Sequence, residues 1–446
     1  MAVRQRRAAG ITVALFVVAA AACGSSTKST STTSTTAVVA TAAGGATSVA
    51  GATTAAAGST AAAGGTAATP AATAASCTLK SAPLVVGLYE IQGESAVAVN
   101  SFDFGSRLAI KAINAAGGVC GQQMKYDRTA PSISDVQVAN AAFLAAVDKK
   151  PTAMVGIPAP NELAGLQAQI EKAGIPTLST SGAADSAFFG AQGVSQYNWK
   201  LGNPDSFYVK ETVDFAVTKL GMKNLALMAT TDLAPSTMDV AKDLVTAAGG
   251  KVTVALPYSP TANDLTPQIL QVKGSDALID YCYPNTCAVQ LNQFQQNGIN
   301  IPTITSSSLT YVANVLVKGP AMANAYAVFN GCVVSPDSTR PGIADFYKAY
   351  KAEYNEEPNS GALQTYNAIF IIKKAVEIAG TTDAKAVNDA MAKVKLTPTD
   401  GAICEDNIHA DGAHYFFHSV IVAKYGNDGS SKEVERITTP DTPKAA

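Results

Sequence analysis

From residue 82 onward the chain repeats one unit, a short apolar run followed by a longer stretch with helical spacing of apolar residues. The runs are "PLVVGLY" (83–89), "QMKYD" (123–127), "TAMVGI" (152–157) and "IPTLSTS" (175–181). After "WKLGNP" (199–204) they resume as "NLALMAT" (224–230), "VTVALPY" (252–258), "DALIDYCY" (276–283), "IPTITSSS" (301–308) and "AYAVFNGCVV" (325–334). Helical periodicity is clearest at 104–115, 134–147, 162–173, 206–220, 237–248, 286–297, 342–354 and 362–379. Alternation of this kind predicts an α/β fold of doubly wound parallel sheets, with right-handed crossovers and helices on both faces.

The glycines say what the scaffold is not. In "GSRLAIKAINAAGGVCGQQMKYD" (105–127), Gly117 and Gly118 follow the helix. A phosphate-binding loop needs its glycines between strand and helix start, whereas glycine after a helix supplies the left-handed cap that ends it. A second feature is an internal echo. "KAGIPTLSTSG" (172–182) and "NGINIPTITSSS" (297–308) each run helix, glycine, Ile-Pro-Thr strand and hydroxyl cluster, about 126 residues apart. The chain therefore reads as two similar lobes. Ligands of such sheets sit beyond the carboxyl ends of the strands. Ser179, Thr180 and Ser181 are expected to oppose Ser306, Ser307 and Ser308 across a cleft; the alternative is that they are turn-forming serines.

The N-terminal segment is set apart from this pattern. Arg4, Arg6 and Arg7 precede the apolar run "ITVALFVVAAAA" (11–22), which is too short for a lasting membrane span. That is an export leader, residues 1–23. "AAAC" resembles the lipobox of a bacterial lipoprotein, which makes Cys23 the lipidated residue; the alternative is simple cleavage. Residues 24–76 are almost all Ser, Thr, Ala and Gly, a composition that predicts a disordered tether reaching about 40 Å from a surface. The formal charge of −2 becomes −5 without the three leader arginines. No basic patch marks a nucleic-acid partner. No second apolar run reaches membrane-spanning length.

Setting Cys23 aside leaves six cysteines, Cys77, Cys120, Cys282, Cys287, Cys332 and Cys404. An even set in an exported chain predicts disulfides, and six cysteines allow 15 connectivities. Cys77 precedes the first strand and Cys120 follows the first helix, so these two can meet. Cys282 and Cys287 flank a Pro–Asn turn in "CYPNTC", and Cys332 and Cys404 remain. No C-x₂-C pair suggests a metal. The histidines, His409, His414 and His418, lie in "HADGAHYFFH". Read as a hairpin, period two puts His414 and His418 on one face, and these read as structural or surface groups. No G-x-S-x-G elbow is present. Neither a metal, a cofactor nor a catalytic group is implied. Tyr283 reads as an aromatic cleft wall, and Trp199 reads equally as wall or core.

The segment "FGSRLAIKAINAAGGVCGQQMKYD" resembles the helix–INAxGGxxG–strand signature of periplasmic binding proteins of the leucine/isoleucine/valine family, the substrate-binding subunits of ABC importers. The resemblance continues through "AMVGIPAPNELAGLQAQIEKAGIPTLSTSG", "DALIDYCYPNTCAVQLNQFQQNGI" and "FYKAYKAEYNEEPNSGALQTYNAIFIIKKAV", covering nearly all of 82–425. It implies a type I fold whose two doubly wound lobes are joined by three hinge crossovers, near Gly202, Cys332–Pro336 and Ile403. The first lobe is then 77–202 plus 335–403, the second 203–334 plus 404–435, with 436–446 a flexible tail. A Cys332–Cys404 bridge would clip two hinge strands together.

The resemblance also implies a pocket. Tyr89 ends the first strand, and Phe104 matches an aromatic of the first-lobe wall. Pro160 or Asn161 stands where the family has a serine, and the next loop offers Ser179, Ser181 and Ala183. Tyr283 matches a second-lobe aromatic, and Tyr366 matches loosely. The aspartate near the first crossover falls on Asn203, with Asp205 two residues on. The family's D-x-x-Y-G is present only as "TDLAPS", beginning at Asp232. The acidic contact to a ligand ammonium falls on Ser307. An unpaired buried ammonium costs several kcal/mol, so the solute is expected to differ from an ordinary α-amino acid unless Glu90 or Glu94 substitutes. The resemblance implies an extracytoplasmic solute receptor, monomeric and lipid-anchored, closing on an amino acid, amide or small carboxylate and docking on a membrane permease. The alternatives are a ligand sensor and, as an enzyme reading, an α/β hydrolase.

Overall fold

The computed structural model describes residues 77–89, 96–129, 136–157, 160–180, 189–190, 193–202, 205–313 and 316–441. The leader, Cys23 and the tether lie outside the described residues, as do Glu90, Glu94, Ser181, Ala183 and Asn203.

The first sheet contains β1 (Leu84–Leu88), β2 (Lys125–Thr129), β3 (Ala153–Gly156), β4 (Thr177–Ser179) and β5 (Asn198–Lys200). All its pairings are parallel, in the order β2-β1-β3-β4-β5. The second sheet contains β6 (Asn224–Thr230), β7 (Lys251–Tyr258), β8 (Ala277–Tyr281), β9 (Thr303–Thr305), β10 (Ala325–Asn330), β11 (Ser419–Tyr425) and β12 (Ser431–Thr438). Its order is β12-β11-β10-β9-β8-β6-β7, with only the β10–β11 and β11–β12 pairs antiparallel. Without that added hairpin, the second order repeats the first strand for strand. The sequence echo is therefore a repeat of topology, and its two Ile-Pro-Thr strands are β4 and β9.

The connecting helices are α1 (Ala96–Ala115), α2 (Val136–Val147), α3 (Pro160–Ala173), α4 (Asp205–Asp214), α5 (Met238–Ala247), α6 (Thr266–Val272) and α7 (Pro284–Gln296). The chain then returns to the first lobe through α8 (Ile343–Tyr354), α9 (Ser360–Ala379) and α10 (Ala384–Met391). Each sheet is buried on both faces. Val85, Val155, Leu178 and Ile369 fill one side of the first, and Val86, Met154, Phe143 and Ile170 the other. Ala226, Leu278, Leu291 and Phe294 cover one side of the second, with Leu225, Ile279, Val213 and Val245 on its opposite side.

The glycine pair behaves as its position predicts. Gly117 and Gly118 have φ of +102° and +78°, and the Gly118 amide donates to the Ile113 carbonyl at 2.9 Å, closing α1. Asn114 of the same motif then grips the next strand's approach, its Nδ2 donating to the Met124 carbonyl at 3.0 Å and its Oδ1 accepting from the Met124 amide at 2.8 Å. Three disulfides form, Cys77–Cys120, Cys282–Cys287 and Cys332–Cys404, with Cα separations of 5.3, 5.3 and 5.8 Å.

The chain leaves β5 toward α4 near Gly202 and leaves β10 toward α8 through Cys332–Pro336. The third crossover is displaced. The Phe416 amide donates to the Lys200 carbonyl and the Lys200 amide to the His414 carbonyl, at 3.0 and 2.9 Å, and Phe416 and Phe417 are buried in the first-lobe core. The chain therefore crosses at His418, between Phe417 and β11, rather than near Ile403. An aromatic run suits either lobe, so its spacing carried no boundary. The second correction concerns the tail. β12 runs to Thr438, and the Thr439 amide bonds the His418 carbonyl at 2.7 Å, so ordered pairing passes the boundary expected at residue 435. The alternating "SKEVERIT" continues the hairpin with β11.

Candidate functional site

A strand order of this kind reverses direction at one point, and a crevice opens there beyond the strand ends. In the first lobe the reversal lies between β1 and β3, at Tyr89 and Gly156. In the second it lies between β6 and β8, at Asp232 and Tyr283. Gly156 has φ +135°, and a Cβ there would run into the Leu88 carbonyl, so only glycine lets β3 close on β1. The next residue, Ile157, is buried and β-branched yet has φ +58°. Backbone strain of this type costs of the order of 1–3 kcal/mol and clusters at functional sites.

Elements leaving the carboxyl ends of the two sheets touch each other. α1 leaves the carboxyl edge of the first sheet, and a 3₁₀ turn, Ser307–Tyr311, leaves that of the second after β9. They meet: the Phe102 and Tyr311 rings lie 5.7 Å apart. Beside them the Thr310 and Ser360 hydroxyls are 2.7 Å apart, joining the same turn to the start of α9. Tyr89 stacks on Phe102 at 5.8 Å, and its hydroxyl bonds Ser106 at 2.8 Å. A cavity of about 540 Å³ runs from Thr310 and Tyr311 of this contact toward the second crossover, where Ser335, Asp337, Glu356 and Asp428 line it.

On the first-lobe side, Ser179 is fully buried at the end of β4. The Thr180 Oγ1 is buried without a hydrogen-bond partner. At the ends of β1 and β2 sits a charged group absent from the sequence expectations. Asp103 accepts from the Tyr126 hydroxyl at 2.6 Å and from Arg107 Nε at 2.8 Å, with Arg128 at 3.6 Å. Burial, then the neighbouring Tyr89 and Asp103, push the Tyr126 hydroxyl far up, so it stays a neutral donor. Arg128 donates to the Tyr89 carbonyl at 2.9 Å, and its Nε is buried with no partner.

On the second-lobe side, Tyr283 is half-buried and its hydroxyl donates to Asp232 at 2.7 Å, joining the loops after β6 and β8. The Cys282–Cys287 bridge closes the turn that carries Tyr283, and Thr286 caps α7 by bonding the Tyr283 amide at 3.1 Å. Behind them Tyr258 donates to Asp280 at 2.9 Å. Asp280 is fully buried, its second oxygen is unpartnered, and burial pushes its carboxyl up to about 7. In the hydroxyl row, Ser306 caps the 3₁₀ turn by accepting from the Ser308 amide, and the Ser307 carbonyl accepts from Thr310. Ser306 therefore acts as a turn former, and Ser307 is half-buried at the turn's first position.

Two aromatic assignments change. Phe104 stacks on Tyr354 of α8 at 4.0 Å and packs in the cluster containing Cys332, Ile343 and Cys404, so it belongs to the hinge. Phe102, two residues earlier and on the other side of α1, takes the place by Tyr311. Tyr366 likewise packs on Phe346 and Phe370, at 5.0 and 5.1 Å. Trp199 is core: its Nε1 donates to Asn388 at 2.9 Å and its ring stacks on His414 at 3.7 Å. His414 and His418 therefore do not share a face; His418 stacks on His409 at 4.4 Å instead. Pro160 and Asn161 open α3 and Asp205 opens α4, with their side chains outside the description. Sequence reasoning missed Phe102, Arg128, Tyr258, Asp280 and Tyr311. Of these only Asp280 left a signal, an acid inside the apolar run "DALIDYCY".

A family profile described as "Periplasmic binding protein" matches residues 84–430. The Leu/Ile/Val-binding protein homolog 7 of Brucella abortus (strain 2308) is 26% identical over 341 residues, covering 73% of this chain and 85% of the relative. Among solved structures, the isoleucine complex of LivJ, the branched-chain amino acid transporter substrate binding protein from Streptococcus pneumoniae, superposes with TM-score 0.67 at 22% identity. That match covers 81% of this chain and 99% of that protein. The benzoate complex of an ABC transporter solute binding protein from R. palustris gives TM-score 0.69 at 17% identity, covering 81% and 98%.

Proposed function

Because the chain belongs to the periplasmic binding protein family, we propose that it is an extracytoplasmic receptor that captures a small polar solute between its lobes and presents it to an ABC importer. The observation that supports this reading is the contact of Phe102 and Ser360 with Tyr311 and Thr310, because it joins elements that leave the carboxyl ends of both sheets. A solute touching both walls gains its full set of contacts only when the lobes close, so binding shifts the population toward closure. No covalent step is part of this reading.

Among solutes we favour a carboxylate. Isoleucine and benzoate, the ligands of two structural neighbours, share that group. The first-lobe wall carries buried, unpartnered groups suited to it in the Thr180 hydroxyl and Arg128 Nε. An ammonium lacks its expected carboxylate at Ser307, and Asp232 is already engaged by Tyr283. The pocket we assign comprises Tyr89, Phe102, Thr180 and Arg128 on one side, with Asp232, Tyr283 and Ser307 on the other; Ser181, Ala183, Pro160, Asn161, Asn203 and Asp205 remain candidates from sequence. Export with lipidation at Cys23 fits a tethered receptor, and among the described residues no helix is long and apolar enough to cross a membrane. A thermal-shift screen of amino acids, amides and aliphatic and aromatic carboxylates tests the reading. A carboxylate that raises the melting temperature and binds one per chain supports it. Turnover of a solute, or stabilisation by none, overturns it.

A further inference from the structure

His409, His418 and Asp441 come from three separate segments: the short strand Ile408–His409, the third crossover, and the residues after β12. His418 is 8% exposed, and its Nε2 lies 3.1 Å from the His409 carbonyl. A carbonyl only accepts, so Nε2 carries a proton, and the neutral tautomer with that proton presents a lone pair at Nδ1. That Nδ1 is buried without a hydrogen-bond partner, and Asp441 Oδ1 lies 3.8 Å away. Two acceptors thus face each other. The same Asp441 oxygen is 3.1 Å from His409 Nε2.

We propose that these three side chains form a binding site for a divalent transition ion of the zinc class. Zinc bonds of about 2.0–2.2 Å in a tetrahedron set ligand-to-ligand edges of about 3.3–3.6 Å. The observed 3.1 and 3.8 Å bracket that range, and the three donor atoms all lie within 4.8 Å of one another. Coordination by both imidazoles requires the rings to open further from their 24° tilt. The His418 Nε2–H bond to a backbone carbonyl is the outer contact that orients a metal-bound histidine. Two imidazoles and one carboxylate favour zinc, nickel or copper over calcium or magnesium. Asp441 is the exposed member, with 63% of its side chain accessible, so a fourth position opens to water. The ion would join the first-lobe strand, the crossover residue and the chain beyond the second-lobe strand β12, and so brace the hinge.

The test uses tag-free, chelator-treated chain titrated with zinc by calorimetry and by competition with a chromophoric chelator. The expected result is one zinc per chain, a raised melting temperature, and at least tenfold weaker binding in Asp441→Asn and His418→Ala. His414→Ala, whose ring lies on Trp199, is expected to bind as the parent does. Asp441 is exposed, so its variant reports even if His418→Ala does not fold. Absence of stoichiometric zinc binding, zinc affinity unchanged in Asp441→Asn, or calcium bound as tightly as zinc would overturn the proposal. A response to pH with none to zinc would likewise replace the ion by a protonated His418.

Discussion

Replacing Asp280 by Asn should stabilise the protein at alkaline pH and leave it nearly unchanged at acidic pH. An Asp in the unfolded chain titrates near 3.9. In the fold, burial pushes Asp280 up to about 7, with its Oδ1 bound by Tyr258 at 2.9 Å and its Oδ2 unpartnered. Between those values the folded state holds a proton that the unfolded state has lost. Stability therefore falls as pH rises from about 4 to about 7 and stays low above that. At about 1.4 kcal/mol per unit of pKa, the full loss is at most about 4 kcal/mol. Asn keeps a neutral group and an oxygen for the Tyr258 hydroxyl at every pH. Urea unfolding followed by far-UV circular dichroism at pH 5 and pH 8 gives the comparison; the single tryptophan, Trp199, reports on the other lobe. The variant's advantage should approach about 4 kcal/mol at pH 8 and shrink to about 1.5 kcal/mol at pH 5. An equal difference at both pH values would refute the assignment of a buried, proton-holding carboxyl.

Tyr283→Ala and Arg128→Ala should each weaken solute binding tenfold or more by calorimetry, which corresponds to about 1.4 kcal/mol; parent affinity in both would remove the proposed walls. Phe102→Ala empties a buried ring site and should lower stability by about 3–5 kcal/mol in denaturant unfolding, whereas Phe104→Ala should leave solute affinity unchanged. The Cys332→Ser/Cys404→Ser pair opens a link across 72 residues, and loop entropy puts its cost at about 4 kcal/mol against about 2 kcal/mol for the five-residue Cys282–Cys287 link, read as two melting-temperature drops in that order. Leucine or valine binding tightly by calorimetry would contradict the reading of Ser307 as leaving an ammonium without its anchor.

Much of the scaffold is legible in sequence because periodicity and glycine placement are local. Gly117 and Gly118 cap α1 from their position alone, and the two Ile-Pro-Thr strands announce the repeated lobe. The disulfides follow once strands and crossovers are in order. The pocket is less legible, because which side of a helix meets the other lobe is a long-range fact. Phe102 and Phe104 are equally aromatic and sit on one helix, yet one stacks toward Tyr311 and the other toward Tyr354. The third crossover is hidden for a related reason: Phe416 and Phe417 would be buried in either core, and hydrogen bonds to Lys200 decide between them. Asp441 stands far along the chain from His409, and only the β12 hairpin brings it there.

A crystal structure of the chain with the strongest hit from the solute screen tests the central claim most directly. The account predicts one solute molecule in the gap bordered by Phe102 and Tyr311, touching Thr180 or Arg128 from the first lobe and Tyr283 or Asp232 from the second. A solute held by one lobe alone, or seated in the cavity beside Glu356 and Asp428, would contradict it.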